Sequence, residues 1–281
     1  MRKRLFAAIA VFGLSTTAFA HQPQQPAQQQ PGQQAQQPAG PKPKSQKEVD
    51  ALQKVQQATD PEARIAAIEN VLENFSDTEY KLILLEMATQ SAQQANDLPK
   101  VIVYGERTLQ ADPKNATAEL AIASATVQNT KEFDLDKEQK LTKADKDAHD
   151  AIDSLKTAPP PNPQMTDAQW QESKKQMTAE AYATLGASAS LRKKYDQAVT
   201  YYKTAADTDA SPVILARLAH AYNQAKQPDN AITTSDRVLA MSDAPPAVKS
   251  FVQQEKAQAE KAKGGGASTS PAPAAPAPPA K

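Results

Sequence analysis

The chain contains no cysteine, which excludes disulfides, a cysteine-ligated zinc site and a lipid-modified N-terminal cysteine. Histidine is nearly as scarce. His21, His149 and His220 are the only three in 281 residues, and none has a second histidine at ligand spacing, so a zinc centre is not expected. Glycine is held to 8 residues and aromatics to 5%. No Gly-rich phosphate loop and no nucleophile elbow occur. Val, Ile, Tyr, Phe and Trp never gather into alternating runs, which removes the signal for a sheet. Acidic residues are numerous, but they fall on the polar faces of helical patterns. Only a buried carboxylate pair in a cleft would revive an enzymatic reading. An excess of either charge is also missing, since 32 Lys and Arg balance 32 Asp and Glu. A nucleic-acid partner needs a concentrated basic surface, so none is expected.

What is present begins with "MRKRLFAAIAVFGLSTTAFA". Arg2, Lys3 and Arg4 precede an apolar run from Leu5 to Leu14, and Ala18-Phe19-Ala20 follows. That order predicts a secretory signal peptide over residues 1–20, cleaved after Ala20. The apolar run is about half the roughly 20 residues that a membrane span requires. After cleavage, 29 basic residues would face 32 acidic ones, a charge of −3, with no later membrane span. A periplasmic or secreted location is therefore expected. Residues 21–45 open on ten Gln and four Pro within twenty positions and are expected to be disordered. Residues 264–281, "GGGASTSPAPAAPAPPAK", are expected to form a second disordered tail or spacer.

Between the tails the pattern is helical nearly throughout. Asp60-Pro61 and Ser76-Asp77 look like helix starts, and Thr166 to Gln169 has the spacing of a capping box. Helices are predicted near 46–58, 61–74, 78–95, 97–110, 115–128, 135–156, 166–191, 195–208, 212–225, 228–241 and 245–262. Their short connections imply antiparallel hairpins.

Two of those hairpins repeat one another. Tyr182, Leu185, Gly186 and Ala189 form an apolar stripe on one helix, and Tyr195, Ala198, Tyr202 and Ala205 form another on the next. Leu218, Ala219, Tyr222 and Ala231 follow, with Leu185 to Leu218 and Ala198 to Ala231 both spaced by 33 residues. This resembles the tetratricopeptide repeat, a helix-turn-helix unit of about 34 residues. Ser235 stands where that family usually has an aromatic. An earlier, degenerate copy ends on Leu109 and Asp112-Pro113, with Val101 and Gly105 at the alanine and aromatic positions.

The resemblance implies an all-α fold in which antiparallel hairpins stack as an α-solenoid. Residues 46–130 hold degenerate repeats, 131–177 a charged helical insertion, 178–245 two clearer repeats and 246–263 a capping helix. The insertion places Leu141, Ala144, Ala148, Ile152 and Leu155 on one stripe. It reads either as a solvated extension of a hairpin or as a protruding partner-binding arm with Trp170 exposed near its tip, and Trp170 itself reads as a packing residue or as a contact. The resemblance also implies a groove lined by the first helix of each pair. Its candidate residues are Glu86, Gln90 and Gln93 in the early copy, Ala183, Ala187 and Ser190 in the next, and Ala216, His220, Asn223 and Gln224 in the last. The Lys, Arg and Asn clamp that some family members close on a peptide carboxylate has no counterpart there, which predicts a small, polar groove. The function expected is a non-enzymatic protein-binding scaffold of the bacterial cell envelope, without cofactor or metal. The alternative is an envelope spacer that acts through its low-complexity tails.

Overall fold

The protein is described by a computed structural model over residues 40–162 and 164–265, where it forms eleven α-helices and no strand. The predicted signal peptide, most of the Gln/Pro-rich segment and the Pro/Ala-rich tail lie outside the described residues. The first two hairpins are α1 (Gln46–Gln57) with α2 (Pro61–Asn74) and α3 (Lys81–Gln94) with α4 (Leu98–Ala111). A third pairs α5 (Ala116–Asn129) with α6 (Lys137–Thr157), and a fourth pairs α7 (Asp167–Leu191) with α8 (Tyr195–Thr208). The last is α9 (Pro212–Gln224) with α10 (Pro228–Ala240), closed by α11 (Pro246–Gly265).

Every helix packs on its neighbours in sequence. From α3 onward each odd-numbered helix also meets the next odd one, with α3 on α5, α5 on α7, α7 on α9 and α9 on α11. The result is two rows of helices with contacts only between near neighbours, the arrangement of a solenoid.

Local chemistry explains where the helices begin. Ser45, Asp60, Asp97, Asn115, Thr166 and Ser211 each accept a backbone N–H from the first turn. Thr166 and Gln169 complete the expected capping box. The predicted start at Ser76-Asp77 is displaced to Lys81. There Thr78 donates its hydroxyl to buried Glu48 at 2.6 Å, and Asp77 is held by Lys44 Nζ at 2.9 Å.

Those contacts also shorten the expected N-terminal disordered segment. Residues 41–45 are tied to the α2–α3 loop rather than free. The Tyr80 hydroxyl donates to Pro41 O at 2.8 Å, and Lys44 N–H donates to Glu48 Oε2 at 2.6 Å.

Within three hairpins the turn has one form. Asn96, Lys193 and Lys226 have φ of 55°, 60° and 58°. The following residues, Asp97, Lys194 and Gln227, return their N–H to Ala92 O, Ala189 O and Tyr222 O at 2.8–3.0 Å. This is the Schellman closure, built without glycine.

Glycine acts elsewhere, where helices touch. A Cβ on Gly186 would lie 2.9 Å from the Tyr202 ring, and one on Gly105 would lie 2.6 Å from Ile122 Cγ1. At the first position a bare α7 admits the aromatic of α8. At the second, α4 lacks the aromatic of its repeat, and Ile122 from α5 fills the space.

The charged segment 131–177 is built into the stack. α6 is the second helix of the third hairpin, with Leu141, Ala144, Ala148 and Leu155 buried. Arg192 clasps the end of α7 to α6, with Glu138 at 2.8 Å and Asp145 at 3.0 Å.

Gly186→Ala tests the close approach. Displacing the Tyr202 ring costs roughly 1–3 kcal/mol, offset in part by up to about 1 kcal/mol of helix propensity. The expected outcome is a net loss of about 1 kcal/mol in urea unfolding, where a glycine serving only as a helix residue would show a gain.

Candidate functional site

The odd-numbered row carries the candidate groove, and its two ends differ. At the C-terminal end the groove is filled from within. Glu255 of α11 is buried, and its carboxylate is answered by α9. Asn223 Nδ2 donates to Glu255 Oε2 at 2.7 Å and to its backbone O at 2.9 Å, and His220 Nδ1 lies 3.0 Å from Oε1. The Phe251 ring sits 5.9 Å from His220.

His220 and Asn223, expected to face a partner, therefore anchor the capping helix. Ala216 and Ala183 do not face a groove either. Both are buried in the core shared by α7, α9 and their neighbours, because a methyl side chain on these faces is covered as soon as the next helix docks. Ala187 and Ser190 are half-buried, and Ala187 packs against the same core. Gln224 lies beside an open cleft with Tyr195 and Lys226, its Oε1 buried and unpartnered.

The N-terminal end is open. Glu86, Gln90 and Gln93 of α3 are exposed, and together they line a cavity of about 400 Å³ with Asn115, Thr117 and Pro161. A second cavity of about 390 Å³ lies between α1 and α3, against Pro43, Val49, Leu52 and Tyr80. Ile83 and Met87 line both cavities, so the two adjoin along α3, one toward α1 and the other toward the start of α5. Ile83 remains 42% exposed. In place of the small, polar groove expected, this stretch has an apolar floor with amide side chains at one side. Glu86 is the one charged residue lining either cavity, and it accepts a 2.7 Å hydrogen bond from Asn115. The signal for this was in "KLILLEM", whose apolar residues exceed what one buried helix face requires.

Trp170 does not sit at the tip of an arm. It is buried against Ala116 and Leu155, and its Nε1–H donates to Ala158 O at 2.9 Å. The indole closes the far end of the long α6–α7 pair, where its apolar body and single donor are both satisfied.

Two buried carboxylates lie outside both cavities of the odd row. Glu119 of α5 and Asp147 of α6 are both pushed above the usual carboxylate range, chiefly by burial. They belong to the α5–α6 contact, and Asp147 is held by Lys143 at 3.0 Å. Neither lines the groove. Burial also pushes Tyr202 up to about 12, the response of a phenol packed in a core. Among the described residues, no group of three or more His, Cys, Asp or Glu could hold a metal ion.

No protein-family model and no curated protein matches the chain. Solved structures do. TTC0263, a thermophilic TPR protein of Thermus thermophilus, is 15% identical with a TM-score of 0.51, over 74% of this chain and 98% of that one. MamA from Desulfovibrio magneticus RS-1 is 13% identical over 69% of this chain and 94% of that one, with a TM-score of 0.49. At these identities the likeness is one of fold, and it rests on the first.

Two measurements check the internal assignments. Trp170 is the only tryptophan, so its emission is expected to be blue-shifted and poorly quenched by acrylamide, whereas an arm-tip indole would emit like free tryptophan. Asn223→Ala leaves Glu255 short of a donor and is expected to cost about 1–3 kcal/mol in denaturant unfolding, where an open groove residue would change stability by under about 0.5 kcal/mol.

Proposed function

On the premise that this chain has the tetratricopeptide repeat fold, we propose that it is a non-enzymatic scaffold of the bacterial cell envelope, holding a protein partner in the groove of α1, α3 and α5. The observation that carries this reading is the pair of adjoining cavities on the odd row. Ile83 and Met87 belong to both, and two neighbouring pockets suit successive side chains of a peptide segment better than a single small molecule.

The lining defines the chemistry of the occupant. Val49, Leu52, Tyr80, Ile83 and Met87 accept apolar side chains, and Met adapts its shape to them. Gln90, Gln93 and Asn115 supply amide donors and acceptors for a partner's backbone. With Glu86 as the only lining charge, a segment rich in carboxylates is disfavoured. The occupant is thus an uncharged or weakly basic stretch with two or more apolar anchors. The envelope assignment comes from the N-terminal order of Arg2 to Arg4, the apolar run and Ala18-Phe19-Ala20. Among the described residues no helix is long and apolar enough to cross a membrane.

The test is site-specific photocrosslinking in cells. A photoreactive residue at Gln90 is expected to yield one discrete adduct, and one at Val103, exposed on even-row helix α4, to yield none. Met87→Glu is expected to reduce the Gln90 adduct at least about tenfold, and the recovered chain should begin at His21. Equal adducts from Gln90 and Val103, or an adduct indifferent to Met87→Glu, would overturn the groove reading. A chain recovered intact in the cytoplasm would overturn the envelope assignment.

A further inference from the structure

The α5–α6 contact encloses a carboxylate oxygen that has no partner among the described residues. Glu119, in the first turn of α5, is 5% exposed, and its Oε2 is buried without a hydrogen bond. A carboxylate in such a place is ordinarily met by donors, as Glu48 and Glu255 are at the two ends of the stack. Glu119 instead faces two further carboxylates across the contact, Asp147 and Asp150 of α6.

α6 brings two lysines to this cluster, and both are engaged. Lys143 holds Asp147 at 3.0 Å and lies 3.4 Å from Glu106 of α4, and Lys146 pairs with Asp150. Two lysines thus serve four carboxylates, and Glu119 is the one left without an ion pair among the described residues. Burial, together with the two aspartates, raises its carboxyl above the ordinary value of 4.5, against the weaker pull of the Ser154 hydroxyl and Lys146. His149 of α6 is exposed. Among the charged groups of the other helices packed on α5, Glu86 of α3 is held by Asn115 and Arg107 of α4 by Glu69. On α7, Lys174 lies over the Trp170 ring, Lys175 is 3.9 Å from Glu172, and Glu180 meets Arg217 of α9 at 3.3 Å.

We propose that the α5–α6 hairpin carries a proton-operated latch, which grips while Glu119 is a neutral acid and weakens when Glu119 ionises. The neutral form lies beside Asp147 and Asp150 without repulsion and brings an O–H donor to a cluster rich in acceptors. The ionised form leaves an unpaired charge inside the contact, which costs the folded state. Glu119 binds its proton more tightly in the folded chain than in the unfolded one. Its stabilising effect is therefore complete below the ordinary value of 4.5 and is lost as pH rises through the higher folded value. Asp147, raised chiefly by burial, acts in the same sense. Asp97, Asp134 and Asp153, held below the usual carboxylate range by Lys100, Lys140 and Lys156, act in the opposite one. The latch is thus read as a difference between variants rather than from the pH slope of the whole chain. α5 also supplies Asn115 and Thr117 to one cavity of the odd row, so the latch bears on a helix of the candidate groove.

Urea unfolding of the purified chain and its Glu119→Gln variant, between about pH 4 and pH 8, tests it. Gln keeps the shape of the neutral acid and never ionises. The variant's urea midpoint is expected to gain steadily on the wild type as pH rises. A difference independent of pH, or one that shrinks as pH rises, would overturn the proposal. Carbon-13 NMR of the glutamate side-chain carboxyls supplies a second readout. One signal, missing from the Glu119→Gln spectrum, is expected to titrate above the exposed glutamates, and a Glu119 signal that titrates with them would also overturn the latch. Should the variant fail to fold, the wild-type spectrum decides alone, by whether one glutamate titrates above the rest or all titrate together.

Discussion

The fold depends on how closely two helical backbones can approach one another. Most of these helices have 12–14 residues, a length that is marginal in isolation, so each persists only against its neighbours. Alanine makes the approach possible over much of the core, at Ala179, Ala183, Ala198, Ala205, Ala219 and Ala231. Where one partner presents a ring, the other must present nothing, as Gly186 does for Tyr202. Where the repeat lacks its ring, at Gly105, the next hairpin supplies Ile122. The same volume is filled each time, by a residue from a different place in the chain.

Both ends of the stack are sealed by a buried glutamate. Glu48 of α1 is met by Thr78 and by the backbone of Lys44, and Glu255 of α11 by Asn223 and His220. A carboxylate in such a place requires its donors, so each one fixes the position of the segment that supplies them. At the N-terminal end that segment is a loop, and the odd-row face stays open. At the C-terminal end it is a helix, and the face is covered. One end is open and the other closed because Glu255 docks its own helix, α11, onto α9, whereas Glu48 gathers only a loop and the segment before α1.

Much of this was legible in the sequence because it rested on period and spacing. The eleven helices, the capping box at Thr166 and the two copies offset by 33 residues are all local patterns, and local patterns survive without coordinates. The groove was less legible, because its occupancy is decided at long range. Nothing in "LAHAYNQ" reveals that His220 and Asn223 will meet Glu255 more than thirty residues away. At Trp170 composition leaves packing and contact both open, and the structure selects packing. A charged, proline-broken stretch looked like an excursion, yet α6 and α7 are long together, and the added length of each packs on the other. Residues 41–45 were assigned by composition to the Gln/Pro-rich segment, whereas Tyr80 and Glu48 hold them in place.

The nearest-neighbour contacts of the two rows have a consequence for how the molecule comes apart. With no contacts between distant hairpins among the described residues, opening one costs only its own two interfaces, and a terminal hairpin has only one. The middle of the stack holds the two longest helices, α6 and α7, joined by the Arg192 clasp. The stack therefore unravels from its ends toward its centre, and the open groove lies in the first two hairpins to let go. A segment held across α1, α3 and α5, as proposed, would tie those hairpins to the middle of the stack, so its binding would raise the resistance of the N-terminal end to proteolysis.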